Sequence, residues 1–106
     1  MKTSFVVIMV TCGSKRESRD IVNSLLKKRS VACANIISGV SSKFWWRGKI
    51  NSAREFLIVL KADRKNFRNI ERTIKRIHSY VLPEIIALPI VNAGKDYLRW
   101  LGSCCG

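Results

Sequence analysis

The sequence predicts one α+β domain over residues 1–106, with elements in the order strand, helix, strand, strand, helix, strand. Three observations predict it. Residues 5–12 and 31–37 are short, nearly continuous apolar runs, as in buried strands. Residues 15–29 and 64–78 instead place their apolar side chains at helical spacing. Between the two helices, polar and glycine breaks divide the chain into strand-sized pieces.

Each element has a local cause. Residues 5–12, FVVIMVTC, form the first strand. Ser14 then offers an N-cap, and Glu17 three residues later completes a capping box. The helix over 15–29 carries Ile21, Val22, Leu25 and Leu26 on one face. Residues 31–37 make the second strand, which Ser38-Gly39 breaks or bulges. Strand resumes over 43–50, turns at Asn51-Ser52 and returns over 55–60. Asp63 caps the second helix, residues 64–78, whose Phe67, Ile70, Ile74 and Ile77 form one stripe. The last long strand, 84–91, contains Pro89, which suits an edge or a bulge. Gly94 precedes a short C-terminal helix with Tyr97, Leu98, Trp100 and Leu101. This order is the ferredoxin-like split βαβ arrangement, in which each half needs a right-handed crossover.

Composition excludes several classes. A chain of 106 residues that is 47% apolar can close one core and is not disordered. The longest apolar run, residues 5–10, falls far short of the ~20 residues of a membrane span. The start, MKTSFVVIMVTCGS, resembles a lipoprotein signal, but that run is short for an h-region and Thr11 precedes Cys12 where a small residue is usual. The strand reading is therefore preferred and a cytoplasmic location expected. The four cysteines lack CxxC spacing, and Cys12 and Cys33 stand in apolar segments, as core cysteines do.

No catalytic motif stands out, and no enzymatic activity is expected. The helix start after Cys12-Gly13-Ser14 reads either as a plain cap or as an anion seat beside Lys15 and Arg16. The densest polar-aromatic cluster is His78-Ser79-Tyr80-Val81-Leu82-Pro83-Glu84, where the second helix meets the last strand. His78, the single histidine, reads either as a helix terminator or, with Cys12, as a soft donor for copper or zinc. The consecutive Phe44, Trp45 and Trp46 point large rings to both sides of a strand. Two helices cover only one sheet face, so the other reads as an oligomer interface, the alternative being that Trp45 merely caps the sheet edge.

Val10-Thr11-Cys12, residues 31–37 (VACANII), Trp46-Arg47-Gly48-Lys49-Ile50, residues 83–90 (PEIIALPI) and Tyr97-Leu98-Arg99-Trp100-Leu101 together resemble the CutA family over essentially residues 5–101. The family comprises small trimeric divalent-cation tolerance proteins, similar to PII signalling proteins. The resemblance implies a homotrimer joined by long β2–β3 hairpins, with clefts between subunits. It also implies an association with copper or another divalent cation and no organic cofactor. Cys12 and His78 become the expected metal residues, and Trp46, Lys61, Tyr80 and Glu84 the expected cleft residues. An unidentified small ligand or protein in that cleft is the alternative. Ser79 and Val81 stand where the family commonly has a proline and an acid, and Phe44 where it often has tyrosine. The lost carboxylate removes a hard oxygen ligand, which affects a soft site less. Lys49, Arg54 and Arg99 also occupy positions that are often acidic in the family.

A formal charge of +13 is the feature the resemblance leaves unexplained. Arg64, Lys65, Arg68, Arg72, Lys75 and Arg76 form an arc opposite the apolar stripe, interrupted by Glu71. Such a pattern reads either as a solvated helix face or as a surface that attracts polyanions and repels small cations. Nucleic acid is therefore a third kind of partner, engaged without base reading because no RNA-binding motif occurs.

Overall fold

The structure, a computed structural model, describes residues 4–105. Its elements are β1 (Phe5–Cys12), α1 (Lys15–Lys27), β2 (Cys33–Trp46), β3 (Lys49–Asp63), α2 (Phe67–Ile77), β4 (Ile85–Pro89) and α3 (Lys95–Cys104), with a 3₁₀ turn at Arg64–Asn66. They form the expected α+β, ferredoxin-like fold: one sheet in the order β2-β3-β1-β4, with every adjacent pair antiparallel. Both edges follow from this order, and Pro89 lies on the β4 edge, where a missing N–H is tolerated.

β1 alternates strictly, burying Val6, Ile8, Val10 and Cys12 while Phe5, Val7, Met9 and Thr11 face the other side. The buried row meets Ile58, Leu60 and Ala62 of β3, Ile21, Val22 and Leu25 of α1, and Ile70 and Ile74 of α2. Fully burying one such isoleucine or leucine is worth roughly 1.5–3 kcal/mol, so this single cluster holds the helices to the sheet. α3 packs on the opposite face. Its Tyr97 hydroxyl lies 3.8 Å from Cys33 Sγ, and a Cβ on Gly102 would lie 3.6 Å from the Phe5 ring.

Several expected boundaries move. α1 ends at Lys27, where Arg29 takes φ +56° and the Arg29 and Ser30 amides donate to Leu26 O and Leu25 O. That is a Schellman closure with arginine in the position that glycine usually fills. Leu26 belongs to the exposed side of α1, because the buried stripe is centred on Ile21 and Leu25. The second helix starts as the 3₁₀ turn, which Asp63 caps by accepting from Lys65 N–H at 3.0 Å. β2 is longer than expected; Ser38-Gly39 bulges it, with a register shift between Ile37 and Val40 and Gly39 at φ +75°.

The hairpin turn is also displaced. It falls at Arg47-Gly48, at φ +52° and +79°, and not at Asn51-Ser52, which lie inside β3. Two central residues at positive φ match the right-handed twist of the flanking strands, as in a type I′ turn. Asn51 instead braces the tip, its Nδ2 donating to Trp46 O and Lys49 O at 3.3 and 3.2 Å. The last strand is shorter than expected, Ile85–Pro89. With 14 and 15 residues in its arms, the β2–β3 hairpin outreaches the helices and gives the molecule its 44 Å long axis.

Candidate functional site

The end of β1 turns through Gly13 into α1, and the segment after α2 folds back over this corner. His78, the C-cap of α2, has a fully buried side chain. Its Nε2 lies 2.7 Å from Thr11 O, and its Nδ1 is 3.1 Å from the Tyr80 backbone N–H. A carbonyl only accepts, so Nε2 carries the hydrogen and Nδ1 accepts from Tyr80. Both ring nitrogens are thus engaged, and His78 can bind a metal only by giving up one of these bonds.

Tyr80 continues the network. Its ring lies 4.7 Å from that of His78, and its hydroxyl donates to Glu55 Oε2 at 2.8 Å. Burial, then this bond to a carboxylate, pushes the phenol up to about 12. A Cβ on Gly13 would come within 3.2 Å of that hydroxyl, so the bare glycine gives the ring its room.

Glu17 does not complete the expected capping box. Its backbone N–H donates to Ser14 Oγ at 3.1 Å, but its Oε1 accepts from Ser79 N–H at 3.0 Å. Its Oε2 is buried without a hydrogen-bond partner, 3.5 Å from His78 Nδ1. The helix cap therefore doubles as a clamp on the 78–84 segment. Cys12 is wholly buried, and its Sγ lies 3.6 Å from Ser14 O. Burial raises its pKa, disfavouring the thiolate that both metal binding and nucleophilic attack require. Among the described residues no group of three or more His, Cys, Asp or Glu side chains is placed to hold a metal ion.

Beside this corner lies a groove of about 800 Å³ whose lining includes Phe44, Trp46, Glu55, Tyr80 and Glu84. It brings together three of the four expected cleft residues: Trp46, Tyr80 and Glu84. The Arg47 guanidinium lies 5.5 Å from the centre of the Trp46 ring at its outer end, a cation–π contact. Lys61 is elsewhere. It pairs with Val7, four residues along β1 from Thr11 and so roughly 13 Å away, and donates to Asn35 Oδ1 at 2.7 Å.

Glu17 and Glu55 are the residues sequence reasoning missed. Glu55 is 6% exposed, a buried acid at the point where β3 enters the body of the sheet. An acid next to an apolar run was the available signal. Its partner Tyr80 is 25 residues away, and Glu17 and Ser79 are 62 apart, so only the fold discloses these pairs.

Comparison with known proteins agrees with this architecture. Residues 6–104 match the family described as CutA1 divalent ion tolerance protein. The divalent-cation tolerance protein CutA of Archaeoglobus fulgidus is 38% identical over 94 residues, which cover 89% of this chain and 91% of that protein. Its counterpart from Thermus thermophilus is 35% identical over 95 residues, covering 90% and 92% of the two chains. The solved structure of the divalent cation tolerance protein from Thermus thermophilus superposes with a TM-score of 0.93 at 33% identity, covering 96% of this chain and 99% of that one. The fold, the length matched and the level of identity lead to one conclusion: this chain belongs to the CutA1 family of divalent ion tolerance proteins.

Proposed function

We propose that three copies of this chain join through their β2–β3 hairpins and that the assembled protein serves tolerance of divalent cations, copper among them, in the cytoplasm. The observation that carries this reading is the hairpin itself. Trp45 is 73% and Ile50 64% exposed, and they are paired across the ribbon, so the described residues of one chain leave a large apolar surface uncovered. Burial of that surface against further copies is the favourable term that drives association. The names of the relatives support the cation role.

In this reading the ion draws donors from more than one copy, since one chain gathers no three-donor group among its described residues. His78 is its first soft donor, and Cys12, wholly buried with its thiol held protonated, joins it only where the metal displaces that proton. Ligation at His78 exchanges the Tyr80 N–H bond at Nδ1 for a bond to metal, loosening the wall of the groove. The same groove favours a second reading, in which a small ligand or partner sits against Trp46 and Tyr80 with Glu84 at its rim. Lys61 belongs to that cleft only if another copy brings it there. The free thiols of all four cysteines suit a reducing compartment.

Native mass spectrometry with and without Cu²⁺ tests the proposal. The expected result is a three-copy species that takes up copper in the wild type and loses that uptake in His78→Ala. Equal uptake by both proteins removes His78 from the site. A single-copy species removes the assembly.

A further inference from the structure

We propose that the outer face of the α1–α2 layer is a docking surface for the phosphate backbone of double-stranded nucleic acid, independently of the cation reading. The two helices lie side by side, and Lys28 Nζ of the α1 C-cap donates to Thr73 Oγ1 of α2 at 3.4 Å. Opposite their buried stripes they expose Arg16, Arg19 and Lys27 on α1 and Arg68, Arg72 and Arg76 on α2. Arg68, Arg72 and Arg76 recur every four residues, about 6 Å apart along the axis. The α1 row runs beside it, roughly 8–10 Å away.

Acids do not offset these charges. Asp20 is the one exposed acid on the two helices. Glu71 is half-buried and pairs with Lys75 at 3.3 Å, while Glu17 is turned inward to Ser79. Arg72 donates to the neutral Asn69 side chain and to Arg68 O, so these bonds leave its charge uncompensated. Arginine-rich rows suit phosphate oxygens, which match the guanidinium fork.

The face also selects among polyanions. An anionic membrane would need apolar anchors, and the outward face of α2 has none, while Leu26 on the flank of α1 is 39% exposed. Single-stranded nucleic acid would need aromatic platforms, but the exposed tryptophans are on the hairpin and α3. What remains is a duplex held by its phosphates, without base reading.

The test is fluorescence anisotropy of a labelled 20-base-pair duplex of arbitrary sequence with the full chain between 50 and 200 mM salt. Binding is expected at 50 mM and should weaken steeply with salt. Arg68→Gln/Arg72→Gln should lose at least tenfold at 50 mM and reduce the log–log salt slope by about 2, one unit per phosphate contact. Lys95→Gln/Arg99→Gln changes the net charge equally on α3, across the sheet, and should stay within twofold of wild type. Equal losses in the two variants would reduce the effect to net charge and overturn the surface. So would no duplex binding at 50 mM, or stronger binding to vesicles containing 30% anionic lipid than to the duplex.

Discussion

The two halves of β3 behave as if they belonged to different proteins. From Ile58 to Asp63 buried residues alternate with half-buried ones, each buried side chain meeting the helical layer. From Lys49 to Arg54 no residue is buried, although the strand continues without a break and pairs with β2 throughout. Backbone pairing thus runs along the hairpin on both sides of the Ser38-Gly39 bulge, whereas β3 buries side chains only in its inner half. The helix-facing side of the sheet body is filled within one chain, while Ile36, Ile37, Ile86 and Leu88 on its edge strands stay exposed. The outer hairpin has its hydrogen bonds but not its core, and the proposed assembly rests on that difference.

Mutations at the two ends should separate these roles. Ile74→Ala, at a wholly buried position between α2 and the sheet, should lose about 2–5 kcal/mol in urea unfolding. Ile50→Ala should leave the chain folded and instead weaken association, by roughly 2 kcal/mol per copy, read as a shift of mass with dilution in sedimentation. Equal loss of folding stability in both variants would abolish the distinction.

The corner between the two regions gives intermediate effects. Tyr80→Phe leaves the buried Glu55 carboxylate without its O–H donor and should cost about 1–2 kcal/mol in thermal or urea unfolding. The phenol also sets a pH window. Its pKa is about 12 in the fold against 10.0 in the free side chain, so its neutral form is favoured by folding. That contribution is fully present below pH 10 and is lost as pH rises from 10 to 12. Unfolding curves across that window should slope downward in the wild type and less steeply in Tyr80→Phe. The smallest effect is local to the body: Arg29→Gly relieves a left-handed residue at the α1 C-terminus and should stabilise by about 0.5–1 kcal/mol.

What was legible in the sequence follows the same division. The stripes Ile21–Leu25 and Ile70–Ile74 and the caps Ser14 and Asp63 depend on residues a few positions apart, so their signals are local. The hairpin turn was misplaced because Asn51-Ser52 has turn chemistry, whereas Arg47 takes positive φ against its own preference. With both hairpin arms polar on much of their surface, apolar alternation does not fix where the chain reverses. For the site, the 78–84 cluster is evident as a sequence feature, and its joining of Tyr80 and Glu84 to Trp46 is found in the groove. The Glu17 clamp and the Glu55–Tyr80 bond were not legible, because a capping glutamate and a strand acid have ordinary local explanations. Lys61 shows the converse. Its match to a family position said nothing of distance, and within one chain it bonds to Asn35, far from that corner.

Sedimentation equilibrium at micromolar concentration reads the number of copies in the assembly. Assembly through the hairpins gives a species of three times 12.1 kDa, which Trp45→Asp converts to a folded single copy. A wild-type protein that remains at 12.1 kDa, with Trp45 fluorescing as a solvent-exposed indole, would contradict it.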